Sequence, residues 1–218
     1  MTHNRTRTRT IAAAALAAAC VLARPAAAQE HSHSHAPLPA SAQGYAWTPA
    51  DAHFMSAMIH HHAQAIEMSR MAPTHGAGET VKTLAARIIN AQQGEIATMQ
   101  QWLRERGQPV PEATAGPMTM NMNGMQHEML MPGMLTPEHM ARLDQARGPE
   151  FERLFLTFMI QHHTGATEMV RELFGTQGAG QDESVFKFAS DVNVDQSTEI
   201  ARMQRMLAAL LFESPVTP

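Results

Sequence analysis

The feature that most limits how this chain can fold is an internal duplication. A shift of 101 places superposes Met58, Ile59, His61, His62, Ala65, Glu67 and Met68 on Met159, Ile160, His162, His163, Ala166, Glu168 and Met169. A shift of 104 places then superposes Ala85, Gln92, Glu95, Ile96, Met99 and Leu103 on Ala189, Gln196, Glu199, Ile200, Met203 and Leu207. Apolar residues recur in both stretches at the three- and four-residue intervals of an amphipathic helix. Each half is therefore expected to be one helical hairpin. A hairpin cannot bury its apolar stripe alone, so the two should pack about a pseudo-two-fold axis into an antiparallel four-helix bundle, an all-α fold.

Helix punctuation sets the expected boundaries. Thr48-Pro49-Ala50-Asp51 combines an N-cap residue, a proline at the first helical position and an acid in the first turn, and the pattern runs to about Ala72 before Pro73 and Gly76 end it. A second helix is expected over 79–105, closed by Gly107 and Pro109. Residues 107–135 form a Met-rich crossover with Pro, Gly and Asn. Thr136-Pro137-Glu138 opens a short helix over 136–147, Pro149 opens a long one ending at Gly175, and a last helix covers about 182–212. The hairpins are thus 48–106 and 149–212, in a bundle spanning 48–213.

At about 100° per residue, Phe54, Met55, His61, His62, Ala65 and Met68 fall within about 80° of Met58 on the first helix. Its histidines 61 and 62 therefore face inward, whereas His60 and Glu67 fall opposite and should be solvated. On the second helix Gln92 and Glu95 share the stripe of Ile88, Ile89, Ile96, Met99 and Leu103. Each half directs two His, one Gln and one Glu toward the core. Such groups can form a satisfied hydrogen-bond network that specifies how the hairpins dock, with methionine as core filler. They can equally offer nitrogen and sulfur to copper from Met58, His61, His62, Met68 and their counterparts Met159, His162, His163 and Met169.

The crossover strengthens the copper reading. Met118, Met120, Met122, Met125, Met129, Met131 and Met134, with His127, lie two to four residues apart around Gly124, Pro132 and Gly133, which is not a helix-core pattern. Thioethers concentrated in a loop suit a loop that lies on the bundle or one that binds a soft ion. Neutral sulfur fits Cu(I) and, unlike thiolate, forms no disulfide in an oxidising compartment.

Such a compartment is expected from the N-terminus. Arg5, Arg7 and Arg9 precede the apolar run 11–23, and Ala26-Ala27-Ala28 supplies a cleavage site, so residues 1–28 read as a signal peptide of a periplasmic or secreted protein. No segment is long and apolar enough to span a bilayer. The single cysteine, Cys20, lies within the signal, and a lipoprotein reading would want Leu where Ala17 stands. Cleavage after Ala28 removes four of the 16 basic residues and none of the 20 acidic ones, leaving a net charge of −8 with histidine neutral. That balance argues against nucleic acid as a partner. Without cysteine, the fold must rest on an apolar core.

Residues 29–47 read as a His-rich tail without an apolar period. Cleavage would give the terminus Gln29-Glu30-His31, followed by His33 and His35. A histidine third from a free amine offers Cu(II) a square-planar set of four nitrogens; cyclisation of Gln29 would block it. The plain alternative is a solvated tail with weak metal affinity.

The stretches Phe-Met-Ser-Ala-Met-Ile-His-His-His over 54–62 and Phe-Leu-Thr-Phe-Met-Ile-Gln-His-His over 155–163, each followed by an Ala and a Glu-Met, resemble the domain of unknown function 305 family across residues 49–211. The resemblance implies export, a ferritin-like four-helix bundle and, as in some members, copper binding linked to copper resistance. Ferritin-like bundles also host di-iron oxidases, which need Glu-x-x-His on two helices. Three residues past Glu67, Glu95, Glu168 and Glu199 stand Arg70, Thr98, Arg171 and Arg202, so that enzyme class is not expected. The expected function is buffering or transfer of Cu(I) and Cu(II), with no organic cofactor and with copper ions and a copper efflux or storage protein as partners. The competing class is a metal-independent envelope interaction module with structural histidines.

Overall fold

The computed structural model describes residues 46–122 and 125–213. The expected signal peptide and the tail histidines His31, His33 and His35 lie outside the described residues, as do the side chains of Met120, Met122, Met125 and His127.

The chain is mostly helical. Helix α1 spans Pro49–Met71 and α2 Glu79–Glu105. Two short strands follow, β1 Met118–Met122 and β2 Met125–Met129, then α3 Pro137–Gln145, α4 Gly148–Gly175 and α5 Glu183–Glu213. Proline at the first turn of α1, α3 and α4 starts each where a backbone N–H would have no helical acceptor. At α1 the start is a full capping box: the Asp51 amide donates to the Thr48 hydroxyl, and the Thr48 amide donates to the Asp51 carboxylate at 2.7 Å.

Helix α1 packs along α2 and α4 along α5, and the two pairs meet through α1 and α4. Trp47, before α1, meets Trp102 near the end of α2 edge-on, so those two helices run antiparallel. The loops lock the pairs together at both ends. The Gly180 amide, in the α4–α5 loop, donates to the second Asp51 carboxylate oxygen at 2.7 Å, and Asp182 accepts from Trp102 Nε1 and Arg106. At the opposite end the Gly148 amide donates to the His75 carbonyl at 2.8 Å, and the Gly78 amide to Glu152 at 2.7 Å.

The crossover departs from the loop expected of it. β1 and β2 pair antiparallel with Met118 opposite Met129 and Met122 opposite Met125. Beyond them the chain returns to the helices as a strap, in which Met131, Met134 and Leu135 are buried. Two of the thioethers read as loop ligands are thus packed among core side chains, Met131 and Met134 joining Met58, Met99, Met169 and Leu173.

The strap is seated between α1 and α4 at positions related by the 101-residue shift. On α1, Gln64 donates to the Leu135 carbonyl at 3.0 Å and accepts from the Leu135 amide at 2.7 Å. On α4 the counterpart is Gly165, where a Cβ would stand 1.9 Å from the Pro132 oxygen. Gly133, at φ 75°, faces the same helix so closely that its own Cβ would meet the Gln161 carbonyl at 2.5 Å. Glycine is required at both places, once for the approach and once for approach and backbone angle together.

Candidate metal centre

The inward face expected of α1 and α4 is present: His61, His62, His162 and His163 are all buried, as are Met58, Met68, Met159 and Met169. His61 and His162, one from each hairpin, lie with ring centroids 3.9 Å apart. His62 sits 6.4 Å from His61, and His163 sits 6.3 Å from His162, so the rings form a chain across the α1–α4 contact. His60, expected to be solvated, is instead half-buried, and its Nδ1 meets the Thr114 carbonyl at 3.1 Å, because the crossover folds back over that part of α1. Glu67 is exposed.

The outer pair of rings is fixed alike in both halves. His62 Nε2–H donates to Glu95 at 2.6 Å and His163 Nε2–H to Glu199 at 2.7 Å. A carboxylate only accepts, so each bond places a proton on Nε2 and, in the neutral ring, leaves the lone pair on Nδ1. Neither Nδ1 has a hydrogen-bond partner. Gln92 and Gln196 are buried beside these glutamates in sequence, each with an unpartnered side-chain oxygen.

The inner pair is treated differently. His61 Nε2–H donates to the Pro132 carbonyl of the strap at 3.0 Å, leaving Nδ1 without a partner, while neither ring nitrogen of His162 makes a hydrogen bond of ordinary geometry. A single strap serving two equivalent positions accounts for the asymmetry. Burial pushes the His61 imidazole down to about 3, repulsion from His62 and His163 adding to it and the Pro132 carbonyl opposing it. Burial, with repulsion from His61, His163 and His62, holds His162 well below the ordinary histidine value, a weaker pull from the His61 backbone opposing it. Both inner rings stay neutral near pH 7, the state in which imidazole nitrogen binds metal.

Unpaired buried polar atoms are uncommon in folded proteins, and a cluster of them calls for a ligand, ion or water. Among the described residues no group of three or more His, Cys, Asp or Glu side chains is arranged to hold a metal ion. Metal binding here would therefore draw on methionine sulfur beside histidine nitrogen, a donor set suited to a soft ion.

Of the crossover thioethers, Met118 is half-buried against the core, Met129 is exposed, and Met131 and Met134 are buried. They do not form one exposed cluster. Two contributors escaped the sequence reading: Gln64 and Gly165. Glycine in mid-helix was the available signal for Gly165, since it marks a close approach when not a defect.

A family model of the domain of unknown function DUF305 matches residues 51–207. The chain belongs to the DUF305 family. Among solved structures it resembles a DUF305 protein from Streptomyces coelicolor, named as secreted, at 30% identity and TM-score 0.62, covering 74% of this chain and 93% of that one. It also resembles CopM in its Cu(I)-bound form, at 28% identity and TM-score 0.55, covering 75% of this chain and 98% of CopM. The Cu(II)-bound form of CopM matches at 28% identity and TM-score 0.55, covering 73% and 96%. No curated protein matches the chain. Among the described residues no helix is long and apolar enough to cross a membrane.

Proposed function

We propose that this DUF305 protein is an exported copper-binding protein, a binder and not an enzyme, that buffers Cu(I) and Cu(II) or passes them to an efflux or storage partner. Its frame is a ferritin-like, antiparallel four-helix bundle made of two duplicated hairpins. The observation that carries the reading is the row of four buried imidazoles with unpartnered nitrogens, flanked in sequence by the buried Met58, Met68, Met159 and Met169. CopM, a relative along most of its length, binds the same ion in both oxidation states.

Neutral rings and thioethers suit copper in particular. Cu(I) accepts few ligands and needs no anionic ones, so it can enter an apolar core without the carboxylate sets that Mg²⁺ or Ca²⁺ require. Glu95 and Glu199 are committed to His62 and His163, where they fix tautomers and orient Nδ1. The same pairs favour a second reading, in which the histidines only specify how the hairpins dock.

The variant with His61→Gln and His162→Gln separates the two. On the copper reading it loses bound copper per chain while still folding. If it binds copper as wild type does and only its thermal stability falls, the helix histidines are architectural.

A further inference from the structure

Near the Met131 strap a cavity of about 700 Å³ opens between the first half of α1 and the last half of α4. Met129, Met131 and Met169 line it together with His53 and Glu172. Met131 and Met169 are buried, while Met129 is 46% exposed. His53 is exposed and makes no hydrogen bond among the described residues. The remaining wall is largely apolar, including Phe54 and Leu173.

The duplication supplies an internal control for this space. Shifting by 101 places converts Ala50, His53 and Ala57, all on the cavity wall, into Phe151, Leu154 and Phe158. Those three are buried in the second core cluster together with Leu143 of α3. Where the second hairpin fills its volume with two aromatic rings and a leucine, the first presents two alanines and an imidazole. Large apolar side chains in the shifted positions show that the helix register tolerates filling, so the opening is a property of these residues and not of the hairpin.

We infer that this cavity is a second metal site, in which Met129, Met131 and Met169 with His53 hold a soft monovalent cation such as Cu(I). The inference rests on the copper reading for its ion and concerns residues apart from the inner histidines. Three thioether sulfurs and one imidazole nitrogen outnumber the single carboxylate of Glu172 in a largely apolar wall, a donor set too poor in oxygen for the six or more oxygen ligands that hard divalent cations take. Thioether and imidazole match Cu(I) and Ag(I). An exposed Met129 at the edge and buried sulfurs behind it give a route by which an ion sheds water stepwise, which suits exchange with a partner.

The test uses the whole protein, Ag(I) as probe and two variants, followed by anaerobic competition titration and an anomalous difference map of silver-soaked crystals. One variant carries Met129→Leu and Met131→Leu, which keeps the apolar packing and leaves the methionines beside the histidine row in place. The other carries Ala50→Phe, His53→Leu and Ala57→Phe, which transplants the filled counterpart. Wild type should show silver between Met129, Met131 and Met169, and both variants should bind one equivalent fewer per chain, with the His61→Gln, His162→Gln variant keeping that silver peak. Silver absent from the cavity, or full stoichiometry in the Met→Leu variant, overturns the inference. If only the histidine variant loses metal, the copper reading stands without this site; if wild type binds no soft metal, both fall.

Discussion

Replacing Gly165 with alanine should destabilise the protein, against the usual sign for glycine in a helix. In mid-helix the change ordinarily gains about 1 kcal/mol, because alanine loses less backbone entropy on folding. Here the new methyl would stand 1.9 Å from the Pro132 oxygen and 2.6 Å from the Gly133 nitrogen, both backbone atoms that no rotamer change can move. Overpacking of that kind costs about 1–3 kcal/mol. If the strap lifts instead, Gln64 loses two buried hydrogen bonds and His61 one, each costing about 1–3 kcal/mol where the group is left unpaired. A contact of 1.9 Å puts overpacking at the upper end of that range, so that, set against the propensity gain, the net loss is about 2 kcal/mol, and more if the strap lifts. Gly94, exposed on α2 with open space around its would-be Cβ, is the matched control and should gain up to about 1 kcal/mol on the same change. Urea unfolding followed by far-ultraviolet circular dichroism measures both, with the slope expected to stay constant. A Gly165→Ala protein as stable as wild type would refute the seating of the strap on α4.

Further predictions concern the histidine row. Because the folded values of His61 and His162 lie below the unfolded value near 6.5, the unfolded chain takes up protons first as pH falls, so stability present above pH 6.5 should decline toward pH 3. The decline approaches about 1.4 kcal/mol per pH unit for each ring, and the His61→Gln, His162→Gln variant should show a flatter profile in urea titrations. Glu95→Ala and Glu199→Ala should each cost about 1–3 kcal/mol by stranding a buried imidazole N–H, whereas Glu→Gln keeps an acceptor and should cost less. Equal losses for Ala and Gln in thermal unfolding would show that the acceptor atom is not what matters. Replacing Met118, Met120, Met122, Met125, Met129, Met131 and Met134 together by Leu should lower Cu(I) binding in competition titration; undiminished binding would remove the crossover from the metal sites.

Helix limits were legible because they are written in local chemistry. Thr48-Pro49-Ala50-Asp51 and Thr136-Pro137 carry their caps on adjacent residues, and the Gln92, Glu95, Ile96, Met99 spacing shows which face turns inward. The burial of His61, His62, His162 and His163 followed from the same periodicity. Non-local facts did not. The alternation of Met118, Met120 and Met122 before Asn123-Gly124 is a hairpin signal that the methionine count obscured. The strap depends on Pro132 reaching Gly165 across 33 positions, and no local pattern states that contact. Nor could periodicity tell that one strap would occupy His61 and leave His162 without a hydrogen bond of ordinary geometry from its ring. The sequence pattern described two equal halves, and the chemistry of the site lies in where they differ.

Whether this chain binds copper is decided by anaerobic Cu(I) titration of the whole protein against a competing chelator. Saturable binding well below micromolar free Cu(I) is expected. Absence of binding at micromolar free Cu(I) would contradict the copper reading and leave the buried histidines as a docking network alone.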